Sequence, residues 1–190
     1  QDFFDRRDYN ETLKGAKQYL EKYPEGAYLL EVHYYTMKSM EDTDKTDEIR
    51  PHLEYIINQP DNDYTDQALL LIARMDYDAE DYASSAEYYI RLISITENQD
   101  IMTEAVEGCM KSHYFNKQYD NAIEKANLLL AMSDISDSQK NQANYIIGKS
   151  YFDKLNYEES LKYFNINIAT DKTETGAECG YYAALCLYNT

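Results

Sequence analysis

Three stretches of the chain can be laid over one another, and their spacing limits what the sequence can fold into. "YDAEDYASSAEYY" begins at Tyr77, "YFNKQYDNAIEKA" at Tyr114 and "FDKLNYEESLKYF" at Phe152. In each, an aromatic is followed five residues later by a Tyr and three further on by a small residue: Tyr77, Tyr82 and Ser85; Tyr114, Tyr119 and Ala122; Phe152, Tyr157 and Ser160. The second tyrosines lie 37 and then 38 residues apart. That period suits a two-helix unit and is far too long for a heptad.

A helical pattern precedes each motif. In "DQALLLIARMDY", "TEAVEGCMKSHY" and "NQANYIIGKSYF" apolar residues recur at about i, i+3, i+4 and i+7. Nine places before the second tyrosine stand Ala73, Met110 and Gly148, two of them small enough to let another helix approach. The unit is therefore read as an αα-hairpin: one helix ends near the aromatic, a short turn follows, and the next helix begins near the Tyr. Asp81 and Asn156 suit the N-cap of the second helix, and Glu159 is placed to reach back to Asn156.

The same logic extends both ways. "DYNETLKGAKQYLEKYPEG" from Asp8 reads as a second helix, with Tyr9 and Thr12 in the equivalent places and Pro24 closing it. "GAYLLEVHYYTMKSM" from Gly26 and "GAECGYYAALCLYN" from Gly176 read as first helices. "TDEIRPHLEYIINQ" from Thr46 pairs with the former if Pro51 occupies its first turn. About ten helices result, over 8–23, 27–41, 47–59, 64–78, 82–96, 99–116, 119–132, 138–154, 157–170 and 175–189. The expected fold is all-α: a right-handed α-solenoid of stacked antiparallel helix pairs, with 1–190 one domain that begins and ends in mid-repeat, like a fragment of a longer array.

Composition agrees with helices. Three prolines and six glycines leave little for the turns of a β-sandwich, and 44% hydrophobic residues oppose disorder. A formal charge of −17 argues against nucleic acid as a partner, because phosphate binding draws on Lys and Arg. Cys109, Cys179 and Cys186 are odd in number and lack a CxxC spacing, which points to buried free thiols and not to a disulfide framework or a zinc site. The longest apolar run, "YYAALCLY" from Tyr181, is far short of the roughly 20 residues that span a bilayer, so direct membrane insertion is not expected.

With Gly148, Tyr151, Tyr157, Ser160 and Phe164 in the places of small, aromatic, aromatic, small and aromatic packing residues, the pattern resembles the tetratricopeptide repeat, TPR. The unit is a few residues longer than that family's, Trp is absent, Met110 replaces a small residue, and the closing Pro is missing from the central repeats. What the resemblance implies is a protein interaction scaffold whose first helices line the ligand surface. The Tyr-, Asp- and Asn-rich style is also similar to helical-repeat proteins of the Gram-negative cell envelope, which would imply a periplasmic or outer-membrane-associated location.

No catalytic constellation is legible, so the chain is not read as an enzyme and no cofactor or metal is expected. His33, His52 and His113 lie in different helices without ligand spacing. The acidic runs "EDTDKTDE" from Glu41 and "DNDYTD" from Asp61 lack the Gly and terminal Glu of an EF-hand and read as solvated turns.

The functional candidate is the outer side of the first helices, where residues at i, i+4 and i+7 share a face. They read Leu70, Arg74, Tyr77; Glu107, Lys111, Tyr114; Tyr145, Lys149, Phe152; and Tyr181, Leu185, Tyr188. Stacked, Arg74, Lys111 and Lys149 form a basic column beside an aromatic one, fitted to a carboxylate-bearing peptide or protein segment. Two competing readings are a Glu107–Lys111 pair at i, i+4 and aromatics wedged against the following Tyr. A carbohydrate-binding role is the alternative function, and it requires many open, coplanar tyrosines. On the last helix, Tyr182, Cys186 and Leu187 have no following helix to cover them all, so self-association through 175–189 is a further expectation.

Overall fold

The structure, a computed structural model, describes residues 2–43, 48–60 and 62–190. Parts of both acidic runs and the first residue of the helix expected at 47–59 lie outside the described residues.

A single turn geometry builds the hairpins. Helix α1 (Asp2–Asp5) leads to α2 (Tyr9–Lys22), α5 (Thr65–Asp78) to α6 (Tyr82–Ile95), α7 (Gln99–Phe115) to α8 (Tyr119–Leu130), and α9 (Asp137–Asp153) to α10 (Tyr157–Thr170). In each turn one residue adopts a left-handed backbone: Arg7 at φ 60°, Glu80 at 62°, Lys117 at 60° and Leu155 at 61°. The N–H of Leu155 bonds to Phe152 O at 2.9 Å and that of Asn156 to Tyr151 O at 2.9 Å, the paired closure of a Schellman motif. The same two bonds close the other three turns.

In three of the four turns the side chain after the left-handed position then caps the next helix, the exception being Gln118 before α8. Asp8, Asp81 and Asn156 accept from the backbone N–H three residues on. The Asn156 cap forms as expected, while the reciprocal capping box sits instead at Ser136 and Gln139, at the start of α9.

The chain divides into two compact units, 1–72 and 73–190, with the division inside α5. In the first, α2 packs on α3 (Leu29–Glu41), and α3 on α4 (Arg50–Ile57). Pro51 lies in the first turn of α4, as expected, and Pro60 holds Gln59 away from helical geometry, so the helix ends before the expected 59. Met37, Leu53, Ile56 and Leu69 are among its fully buried side chains.

In the second unit each helix packs on the next, from α6 through to α11 (Glu174–Asn189). Val106, Met110, Ala122, Ala126, Leu129, Ala143, Ile146 and Ile147 form one core across α7, α8 and α9. Phe164, Cys179, Ala183 and Cys186 form another across α10 and α11. Helix α7 also touches α9, and α9 touches α11, with no comparable contact of α8 with α10 among the described residues. First helices thus crowd into a wall while second helices splay. This is all-α, sequential, α-solenoid packing, with eleven helices among the described residues. The addition to the expected ten is α1, whose four residues are too few to show a period.

Two of the small positions do what the repeat requires. Ser85 Oγ donates to Ala73 O at 2.9 Å, and Ser160 Oγ to Gly148 O at 2.8 Å, so a buried hydroxyl ties each second helix to the backbone of the first. A Cβ on Gly148 would stand 2.8 Å from the Phe164 ring, which explains why this place admits no side chain.

Candidate functional site

The wall made by the end of α5 and by α7, α9 and α11 carries all seven predicted site residues. Every basic member of the column has an acidic neighbour that the sequence pattern placed only in one case. Lys111 donates to Glu107 at 2.6 Å, the i, i+4 pair foreseen. Arg74 Nε donates to Glu104 Oε1 at 2.6 Å, from α5 across to α7. Lys149 lies 3.9 Å from Asp153.

The aromatic column behaves as packing at one end of each ring. Tyr77 meets Tyr82, Tyr114 meets Tyr119 and Phe152 meets Tyr157, with centroids 5.4, 5.9 and 5.5 Å apart. That is the wedge between consecutive helices. The hydroxyls do something else: Tyr114 donates to Asp153 at 2.8 Å and Tyr145 donates to Glu178 at 2.7 Å. Burial, and then these bonds to carboxylates, push both phenols well above their ordinary range, so they remain protonated donors. Gln139 Nε2 adds a contact to Glu107 at 3.4 Å. Adjacent first helices are therefore linked by polar rungs along the proposed ligand face.

Lys149 stands apart from the other two cations. The residue is 9% exposed, and its ammonium sits 3.8 Å from the centroid of Tyr182 and 5.5 Å from that of Phe152. Its nearest carboxylate oxygen is beyond hydrogen-bond distance, leaving three N–H donors uncommitted among the described residues. Cation–π attraction offsets part of the cost of burying the charge.

Glu104, Asp153, Glu178 and Tyr182 were not picked out from sequence. Their partners lie on neighbouring helices, about thirty or more residues away in most cases, and only Asp153, four after Lys149, left a local sign. A cleft of about 210 Å³ opens on the same wall, lined by Tyr77, Tyr89, Glu104, Glu107, Gly108 and Lys111. Tyr89 and Gly108 were also missed.

The first unit holds a larger cleft, about 560 Å³, whose lining includes Leu13, Leu20, Met40 and His52. Beside it His52 and His33 face each other, Nδ1 to Nδ1 at 2.9 Å, and His33 stacks on Tyr55. Burial and the His52 ring pull His33 down to about 4. His113 is buried and paired with Gln118. Among the described residues no three His, Cys, Asp or Glu side chains converge as metal ligands would. Cys109, Cys179 and Cys186 are all buried free thiols. No described helix is long and apolar enough to cross a membrane.

Taken together these features define a helical-repeat protein with a polar, aromatic wall of first helices. No protein-family model matches the chain, and no curated protein matches it.

Proposed function

We propose that the chain is a non-enzymatic interaction scaffold of TPR-like type that holds a peptide or protein segment along the first-helix wall of residues 73–190. The observation that carries this reading is Lys149, a nearly buried ammonium with three unspent donors on that wall. An ammonium with so little solvent around it gains from an acceptor brought by a ligand, a carboxylate or a main-chain carbonyl.

Arg74 and Lys111 remain usable despite their partners. Both ion pairs are partly exposed, and pairs of that kind are worth about 0.2–1 kcal/mol, so a ligand carboxylate can take over a cation at little cost. The carbohydrate alternative draws less support. Of 21 tyrosines only Tyr23, Tyr28, Tyr181 and Tyr188 are exposed, two in the α2–α3 connection and two on α11, which provides no broad ring platform.

The test is a titration of fluorescent acidic peptides against the chain. Replacing Arg74, Lys111 and Lys149 together with Ala should weaken binding at least about tenfold, given charge-assisted bonds of about 1.5–3 kcal/mol. Unchanged affinity in that variant would sink the proposal.

A further inference from the structure

Gly108 lies in the interior of α7, where Gly costs about 1 kcal/mol relative to Ala, so something must require it. A Cβ there would stand 2.3 Å from Cζ of Tyr89 and 2.7 Å from its hydroxyl oxygen. The phenol of Tyr89, on α6, is thus laid across the backbone of α7 with its polar end at the 210 Å³ cleft. Tyr89 is 4% exposed, and its hydroxyl has no hydrogen-bond partner among the described residues. The hydroxyl is therefore satisfied only by solvent from the cleft, and a guest that brings an acceptor can take the place of that water.

We propose that this cleft receives one carboxamide side chain, Asn or Gln, from the segment held along the first-helix wall. The inference rests on the peptide-binding reading above. Volume sets the first limit, since sites for small organic ligands begin at about 300 Å³, leaving room here for a side chain.

Charge sets the second. Glu104, Glu107 and Lys111 line the cleft, and Glu104 is paired with Arg74 and Glu107 with Lys111, so the two anions are balanced by two cations. Inside the cleft, as distinct from the open wall where a carboxylate can reach Arg74, a guest carboxylate would lie against Glu104 and Glu107 and a guest ammonium against Lys111. A carboxamide is neutral and has both functions: its oxygen accepts from the Tyr89 hydroxyl, and its N–H groups donate to the free lone pairs of the glutamates. The protein already makes one such contact, between the Gln139 amide and Glu107 at 3.4 Å. Burial raises the Tyr89 phenol above its ordinary range, so the hydroxyl keeps its proton.

The probe is a positional-scanning library of short N-acetylated peptides, presented to the full chain. At one position Asn and Gln should be favoured over Leu, Asp and Lys by about three- to tenfold, the range of one net hydrogen bond. Tyr89→Phe keeps the ring over Gly108 and removes only the donor; it should abolish this preference while peptides continue to bind. Gly108→Ala, which drives the ring off its seat, should do the same. A library bound without an Asn/Gln preference, one selecting Asp or Glu there, or a preference that survives in Tyr89→Phe would overturn the carboxamide pocket and leave the peptide groove standing. Failure of every library member to bind would overturn both.

Discussion

Gly148 and Phe164 make a sharp test of the packing argument, because their coupling can be worked out before measurement. Gly148→Ala replaces a poor helix former with the best one, a gain of about 1 kcal/mol. Against this, the new methyl meets Cε1 and Cδ1 of Phe164 at 2.8 and 2.9 Å, and that ring is fully buried. Overpacking of this kind costs about 1–3 kcal/mol, so the single variant should lose about 1 kcal/mol net. Phe164→Leu alone should cost about 2 kcal/mol, below the range for truncation to Ala. When Phe164→Leu is combined with Gly148→Ala, the methyl enters the space the ring leaves, and the helix gain returns. The double variant should then be about 2 kcal/mol more stable than the sum of the singles predicts, well outside the ~0.5 kcal/mol scatter of independent sites. Urea unfolding followed by circular dichroism, with amide exchange in α9 as a local readout, measures this. Additive effects would mean that Phe164 does not rest on Gly148.

Two further outcomes follow from buried titratable groups. His33 and His52 are held neutral, with His33 pulled from 6.5 to about 4 by burial and then by His52. The unfolded chain therefore binds more protons in that interval, so this stabilisation is present above pH 6.5 and is lost as pH falls towards about 4. Both rings are only partly buried, which reduces the effect to about 1 kcal/mol after screening. His33→Gln should flatten the pH dependence of the urea midpoint by that amount, and an unaltered slope would refute the pair's role. Burial also raises Cys109 to about 12 and Cys179 above its ordinary value. Neither should react with a thiol reagent at mildly alkaline pH until the chain is unfolded, and rapid labelling of the native chain would contradict their burial.

The helical fold was readable because it repeats. One aromatic–Tyr–small pattern marks three hairpins, and Asp81 and Asn156 cap where the pattern places them. The Glu107–Lys111 pair was readable because it is local to one helix turn. Contacts that cross between helices were not. Tyr114 and Asp153 are 39 residues apart, and no local rule joins them. The seat of Tyr89 on Gly108 spans two hairpins and left one sign only, a glycine inside a helix. Burial of Lys149 depends on Tyr182, a residue of α11, and the sequence pattern placed that lysine on an open face. The uncovered end of α11 was half right: Leu187 is 64% exposed, but α10 covers Cys186 fully, and Tyr182 packs against Phe164.

The left-handed turn residues had no sequence mark at all, and that absence supports a last prediction. Arg7, Glu80, Lys117 and Leu155 share no chemistry, yet all hold φ near 60°, where a non-glycine residue costs about 1–2 kcal/mol. The Schellman bonds, present in all four hairpins, must supply that cost, with a following cap adding to them in three, so the turn is specified by backbone closure and not by its side chain. Leu155 is the clearest case, since it is 70% exposed and has little packing to lose. Leu155→Gly should relieve the strain while adding about 0.5–1 kcal/mol of unfolded-chain entropy, for a net gain of about 0.5 kcal/mol. The matched control is Ile166→Gly, an exposed position within α10, which should lose about 1 kcal/mol. Opposite signs for two exposed glycine substitutions, read as urea midpoints in one chain, are what backbone specification requires. Equal losses would mean that the Leu155 side chain itself holds the turn.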